Sequence, residues 1–529
     1  MPEPREVSRP GLDGSGRLRL AELIASLSLA TDLGMGQPLE QALRTCVLSM
    51  NAARELRVPE TDLTQVYYLA LLRFVGCTAD AHETAAAAGG DEISDRAGLA
   101  PVIMGDTAEF LSHMVRHFAA GTPTLTRLKL LAAALAQGTS GAKRDIAAHC
   151  EVAQMLANRM GLPETIGRFV GSTFERWDGK GLPGLAAGFA IPMPARIVSV
   201  ARDVDVFNRF GGWSLTSRVL RRRRAGAYDP DVTDVFLACG ETWLNELDTV
   251  AAWDAAIAAE PAPQVLLDEA RLDSVLGAFA DFVDLKSPFT LGHSAAVAEL
   301  AAAAARHSGL QDAEVQDLRR AGLVHDLGKT GIPNGIWDKP GPLAQPDWER
   351  VRLHPYLTER ILANSPKLGA VALLAGSHHE RLDGSGYHRG SAGASLATAA
   401  RLLAVADAYQ AMGQRRSYRP PLDERARAAE LQRDVDAGRL DRDAVRAVLG
   451  AAGEAVPPAR TSWPSGLTDR EVEVLRLISR GASNRDVAHQ LVISPKTAGR
   501  HVENIYAKIN VSSRASAALF ALQNDLLRD

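Results

Sequence analysis

Apolar residues recur along most of this chain at the three- and four-residue intervals of an α-helix. The clearest case is at the C-terminal end. Thr468 is placed as an N-cap with Glu471 three residues on, a capping box, and Leu467 and Val472 take the staple positions. Gly481 ends that helix. Ser483 caps a second, with Val487, Ala488 and Leu491 facing inward. After the short turn Val492-Ile493, Ser494 caps a third, with Pro495 at its first position. On it Ala498, Val502, Ile505 and Ile509 share one face, and Lys496, Thr497, Arg500, Glu503 and Asn504 fall largely off it. A last helix over 515–526 carries Ala518, Leu519 and Leu522. The alanine-rich stretch 295–305, broken by Glu299, predicts a packed helix. Alanine excess, few aromatics and these long periodic stretches predict an all-α protein.

Composition narrows the class. The 529 residues suffice for about three domains. A formal charge of -4 means that any nucleic-acid surface is local. Cys46, Cys77, Cys150 and Cys239 are widely spaced and contain no C-x-x-C, which argues against a disulfide framework or zinc ribbon and suits a reducing cytosol. No apolar run approaches the ~20 residues of a membrane span, and the first thirty residues lack the apolar core of a signal peptide. A cytoplasmic protein is expected. Prolines mark two joints, one at 258–263 and one at 457–466. The expected domains are 15–257, 268–452 and 464–529.

Candidate chemistry is concentrated in the middle domain. His293, His325-Asp326, His354, His378-His379 and Asp407 all lie in segments that read as helix or helix end. Imidazole nitrogen with carboxylate oxygen suits iron, manganese or zinc. The set is too large for one tetrahedral ion, and a carboxylate beside a histidine can bridge two. Two ions roughly 3.5–4 Å apart are a known device for hydrolysing phosphate esters. Taken singly, any of these histidines would pass for a surface or core residue.

The block His325-Asp326-Leu327-Gly328-Lys329, Gly331-Ile332-Pro333, then 378–387, Ala406-Asp407-Ala408-Tyr409 and Arg416-Ser417-Tyr418-Arg419 resembles the HD-GYP phosphodiesterases, a branch of the HD phosphohydrolase superfamily. The resemblance spans roughly 272–450. It implies metal ligation by His293, His325, Asp326, His354, His378, His379 and Asp407, with Asp326 bridging and catalytic beside Lys329. It implies phosphate contacts from Lys329, Arg416 and Arg419, and cyclic di-GMP or a related nucleotide as substrate. Three positions depart from the pattern. His388 replaces a proline, Gln410 replaces an acidic residue, and Phe289 stands where some members place a third-metal glutamate. Two divalent ions are therefore expected, iron or manganese foremost.

The first half contains a worn copy of this block. Residues 175–183 align under 380–388 and run without a gap into 195–201 under 400–406; 225–229 resemble 437–441, and 71–77 fall on 323–329. Arg73-Phe74 stand in place of His325-Asp326, Thr173-Phe174 in place of His378-His379, Arg202 in place of Asp407 and Cys77 in place of Lys329. Only His149 remains, opposite His354. This copy is expected to keep the fold and lose the metal, serving either packing or dimerisation, or effector binding. An insertion at 78–140 includes a loop-like stretch at 85–95, and the run 221–224 is expected to be a solvated helix face.

The tail resembles the LuxR-type helix-turn-helix, from 467–471 through 483–485 and 493–497 to His501-Val502 and Ser513-Arg514. Ala498-Gly499 depart from the usual valine and lysine. The resemblance implies DNA as partner and a homodimer paired through the last helix. Arg500 is the candidate base contact, with Lys496, Thr497, Asn504 and Lys508 also on the DNA side. A small helical interaction module without DNA is the alternative. The chain thus resembles tandem HD-type helical domains followed by a four-helix LuxR-type domain. Either it turns over a phosphodiester, or the same site senses a nucleotide or metal and controls DNA binding.

Overall fold

The computed structural model describes residues 17–454 and 463–527. Pro457 and Pro458, and the first two residues of the expected first domain, lie outside the described residues. The protein is all-α; among the described residues the only β-type pairings are the isolated bridges Arg19–Leu266, Arg224–Tyr228 and Arg416–Arg419.

Helix Leu20–Gly34 organises the two repeats. It is apolar on nearly every side, and Leu20, Leu23, Ile24 and Leu27 are fully buried. A helix of that kind must be enclosed. Helices Gln41–Glu55 and Glu60–Leu72 cover it from the first repeat, and turn Leu327–Gly331 and helix His354–Leu362 cover it from the second. Of its two acids, Asp32 accepts from Ala42 N–H at 3.2 Å, and Glu22 accepts from the Ser365 hydroxyl of the second repeat at 3.0 Å. One continuous apolar core therefore serves both repeats. The proline joint is tied down as well: Leu20 N–H donates to Val265 O, Leu267 N–H donates to Leu18 O, and Glu260 pairs with Arg19 at 3.3 Å.

The internal repeat is visible bond by bond. Trp177 N–H donates to Ala227 O at 3.1 Å, as Leu382 N–H does to Arg439 O at 3.0 Å. Glu175 accepts from the Gly184 and Leu185 amides, as Glu380 does from Arg389 and Ser391. Arg196–Asp229 is matched by Arg401–Asp441. A Cβ on Gly76 would lie 2.1 Å from His149 O, and one on Gly328 would lie 2.0 Å from His354 O. Glycine is needed at both because the backbone of the next segment crosses there.

Two expectations need correction. The stretch 85–95 is not a loop: helices Ala81–Ala87 and Glu92–Leu99 are broken only at Gly89 and Gly90, both at positive φ, and Asp91 caps the second through Ser94 N at 2.9 Å. Nor is 221–224 uniformly solvated. Arg223 is buried against Asp203, Glu109 and Tyr228, because its side chain faces the repeat's interior while its neighbours face water.

The C-terminal helices form their own small core around Val472, Leu475, Ile478, Val487 and Ile505. The caps fall as the sequence predicts, on Thr468, Ser483 and Ser494. The last helix, Arg514–Gln523, packs against helices Thr124–Arg159 and Glu269–Asp284. Ala518 and Leu519 belong to the main core, with Leu522 packed on it. The face expected to pair subunits is thus covered within the chain, because the same apolar residues find a partner surface closer to hand. Glu151 accepts from Ser512 N–H at 3.1 Å and from the Ser512 hydroxyl.

Candidate metal centre

Helix ends bring the histidines together. His293 opens helix His293–His307 after Gly292, which is left-handed at φ 74°. His325 closes helix Asp312–Val324, and Asp326 leads into turn Leu327–Gly331. His354 opens helix His354–Leu362, His378 and His379 follow helix Gly369–Gly376, and Asp407 lies within helix Thr398–Gly413.

The seven expected ligands meet as two triads joined by a carboxylate. His293, His325 and Asp407 form one triad and His354, His378 and His379 the other, with ligating atoms within 4.8 Å of one another in each. Asp326 faces both. Its Oδ2 lies 3.3 Å from His325 Nε2 and 3.8 Å from His293 Nε2; its Oδ1 lies 3.5 Å from His354 Nε2 and 3.7 Å from His378 Nε2. Asp407 Oδ1 is 3.1 Å from His293 Nε2, and its Oδ2 is 3.8 Å from His379 Nδ1. Ligand atoms around one ion at about 2.0–2.2 Å stand apart by roughly this much.

Tautomers are set from behind. The Nδ1 atoms of His325, His354 and His378 lie 2.8, 2.6 and 2.6 Å from the carbonyls of Gly322, Val351 and Ala375. A carbonyl only accepts, so each Nδ1 carries the hydrogen and each Nε2 is turned inward. His354 Nε2 and His378 Nε2 then face each other at 3.1 Å. Two bare lone pairs in that position call for a cation between or beside them. His325 Nε2, His379 Nδ1 and Asp326 Oδ1 are buried without a hydrogen-bond partner, which fits metal ligands.

The electrostatics agree. Burial pushes His293 and His354 down to about 4, and lowers His378 and His379 as well, so these rings are neutral, the form in which imidazole can bind a metal. Burial also opposes charge on Asp326 and Asp407, but His325 and Lys329 for the first, and hydrogen bonds from His293 and His325 for the second, outweigh it and hold both carboxyls well below the usual range. His325 is pushed up to about 10: burial disfavours its charge and Asp326 overrides that. The pocket holds two anions in a dry place and draws positive charge to its centre.

Around the triads stand residues that spacing alone did not single out. Thr358 donates to His325 O at 2.8 Å and accepts from Gly328 N–H at 2.9 Å, fixing the His325-Asp326 corner. Trp337 meets His354 edge-on and lies 4.8 Å beneath Lys329 Nζ. Tyr387 covers His379, ring centroids 4.3 Å apart. Lys329 pairs with Asp326. Arg416 reaches Phe289 O at 3.1 Å, beside the loop that leads to His293. Arg419 is engaged with the backbone. Its guanidinium donates to the carbonyls of Ala411, Met412 and Pro420, because the C-terminal end of helix Thr398–Gly413 presents acceptors that need a donor. His388 stands off against Tyr356 and Glu359, Gln410 donates to Ala296 O, and Phe289 packs edge-on to His82 of the first repeat.

The insertion reaches this site from the first repeat. Glu92 is fully buried, 2.7 Å from Lys286 Nζ, and accepts from Asn334 N–H at 3.0 Å. Lys286 precedes the His293 loop, and Asn334 follows the Lys329 turn.

On the C-terminal domain Lys496, Thr497, Arg500 and Asn504 are exposed on helix Pro495–Ile509. Lys508 is engaged within the domain: its ammonium is 2.6 Å from Glu471 and donates to Gly466 O, since Glu471 of the capping box lies within its reach.

A bridged cluster of imidazoles and carboxylates on helix ends is the mark of an HD-type fold. The chain belongs to the HD domain family, which matches residues 129–228 and 277–444 and is a family of divalent-metal-binding phosphohydrolases. Residues 465–521 match the bacterial regulatory proteins of the luxR family. Among similar proteins, 3'3'-cGAMP-specific phosphodiesterase 3 of Vibrio cholerae is 31% identical over 409 residues, 76% of this chain and 89% of that protein. A cyclic di-GMP phosphodiesterase of Thermotoga maritima is 36% identical over 160 residues, 30% of this chain and 43% of that one. The crystal structure of the Vibrio cholerae cyclic GMP-AMP specific phosphodiesterase V-cGAP3 superposes with TM-score 0.59 at 26% identity, over 83% of this chain and 99% of its own.

Proposed function

We propose that this protein is a metal-dependent phosphodiesterase of cyclic dinucleotides, built into one chain with a DNA-binding domain. The division proposed is a metal-free HD repeat over 15–257, the catalytic repeat over 268–452 and the DNA reader over 464–529. The observation that carries the reading is Asp326, which turns one oxygen to each histidine triad. His293, His325 and Asp407 would hold one divalent ion, His354, His378 and His379 the other, and Asp326 both. The nitrogen and oxygen donors favour iron or manganese. Bound there, the ions would supply Lewis-acid polarisation of a phosphoryl oxygen and a more acidic water.

The chain's own residues do the rest. Lys329, held beside Asp326 and over Trp337, offers a positive charge at the edge of the cluster for a phosphate oxygen. Arg416 lies next to the His293 loop and offers a second. Tyr387 and Trp337 wall the histidines and present flat faces on which a base can lie. The test is hydrolysis of 3',3'-cyclic GMP-AMP and cyclic di-GMP by the full chain supplied with manganese or iron(II). Turnover lost in Asp326→Asn is expected; turnover that survives it contradicts the assignment.

A second reading has one observation in its favour. A side chain at Gly292, the residue before His293, would come 3.5 Å from Leu522 of the DNA reader. Occupancy of the metal site then bears on how the reader is seated, and the protein acts as a sensor. By linkage, DNA must change nucleotide affinity by the factor through which nucleotide changes DNA affinity. The reader is proposed to bind DNA through Lys496, Thr497, Arg500 and Asn504. A homodimer on a two-fold site requires the last helix to leave its seat. No described helix is long and apolar enough to cross a membrane, in keeping with the cytoplasmic location proposed here.

A further inference from the structure

The positions that lost their ligands in the first repeat did not close up. Arg73, Phe74, His149, Thr173, Phe174 and Arg202, the counterparts of the metal-site residues, line a cavity of about 370 Å³. That is within the size range of small-ligand sites.

Charge in this cavity is unbalanced in one place. Its acids are nearly all engaged. Asp80 is held by Arg96 at 2.8 Å and His149 at 2.7 Å. Asp203 is held by Arg202 at 2.6 Å, by Arg223 at 3.1 Å and by the Tyr228 hydroxyl. Glu175 accepts the Gly184 and Leu185 amides. Asp95 lies against His113, Asp106 caps a helix, and Asp145 is exposed. Arg73 is the exception. Among the described residues it forms no ion pair, while Arg202 beside it takes Asp203. Its one side-chain hydrogen bond is to Ser199 Oγ at 3.2 Å, and its Nε is buried without a partner, as is that of Arg202. Burial, and then the neighbouring Arg202, push Arg73 down to about 9. A desolvated guanidinium beside a second one is costly unless an anion completes it.

The anion must bring an apolar body. The Arg73 guanidinium lies 5.4 Å from the Phe74 ring centre and 5.2 Å from that of Phe174, and Leu99 and Met104 form apolar wall beyond. A guanidinium fork matches phosphate, and aromatic rings accept a flat base. We propose that this cavity binds a nucleoside monophosphate, with its phosphate on Arg73 beside Arg202 and its base against Phe74 and Phe174. The worn repeat has thus exchanged a metal-dependent phosphate site for one whose positive charge is built into the chain. The inference does not depend on the catalytic reading of the second repeat.

Calorimetry on the full chain in chelator, which silences metal-dependent phosphate binding, tests it with GMP, AMP and guanosine as probes. Wild type and Asp326→Ala should each take up one equivalent of GMP or AMP. Arg73→Gln should weaken that binding by at least about tenfold, the usual worth of a hydrogen bond to charge, with guanosine weaker than GMP by a similar factor. Arg202→Gln should weaken it in the same direction, and it carries the test should Arg73→Gln fail the circular-dichroism check of folding. No binding of either nucleotide below about 1 mM would overturn the proposal. So would binding that survives both arginine variants, binding lost only in Asp326→Ala, or guanosine binding as tightly as GMP.

Discussion

His354 Nε2 and His378 Nε2 face each other while both Nδ1 atoms are committed to carbonyls three residues back. That commitment makes the metal site sensitive to residues that never touch an ion. Thr358 ties His325 O to Gly328 N–H, so Thr358→Val should weaken metal affinity by about 10–100-fold, as loss of outer-shell partners does. Competition against a chelator reads this directly, and unchanged affinity would show the corner to be held by other means. On the DNA side, Arg500 is exposed and forms no ion pair among the described residues. Arg500→Ala should cost about 1–3 kcal/mol at a cognate site and relax specificity there. Lys496→Ala should weaken all sequences alike and flatten the salt dependence; equal losses on specific and random DNA for Arg500→Ala would make it a phosphate contact. That the five histidines and two aspartates gather in one place was legible in the sequence, because such residues have few other uses at a buried helix end. The partners that Arg419 and Lys508 take were not. A long cationic side chain takes the nearest acceptor, and only the folded chain shows that this is a helix-end carbonyl for one and Glu471 for the other.

At the scale of elements, strong caps were readable, and short helices were not. Thr468, Ser483 and Ser494 each cap a helix as their spacing implies. Helices Ala81–Ala87 and Glu92–Leu99 are too short for periodicity to register, and their alanines and glycines resemble loop. The second of them carries Glu92, which no pattern in the chain singled out. It is buried against Lys286 and the Asn334 amide, between the two loops that flank the metal site. Burial lowers Lys286, and Glu92 works against that shift. Glu92→Ala leaves a buried ammonium without its partner and should destabilise the protein by about 3–5 kcal/mol. Denaturant melts of wild type and variant measure this; a loss below about 1 kcal/mol would mean that water replaces the carboxylate.

For the whole molecule, the decisive contact is the seat of the last helix. Sequence resemblance placed Ala518, Leu519 and Leu522 between subunits, and the fold places them against the chain's own repeats. Periodicity shows that a face is apolar, not which surface covers it. Helix Thr124–Arg159 carries His149 into the cavity of the first repeat and Glu151 to Ser512 of the reader, so cavity and seat share one helix. Glu151→Ala removes bonds from the seat without altering the reader. It should shift association toward dimer by about fivefold, near 1 kcal/mol, in sedimentation at equal concentration. Identical association by wild type and variant would separate the seat from dimerisation.

The central claim is that one repeat holds a metal pair bridged by Asp326 and the other holds none. Metal analysis of the purified full chain tests it most directly. The expected content is about two ions per chain in wild type, close to none in Asp326→Ala, and the wild-type value in His149→Ala. A content that survives Asp326→Ala, or that falls with His149→Ala, would contradict it.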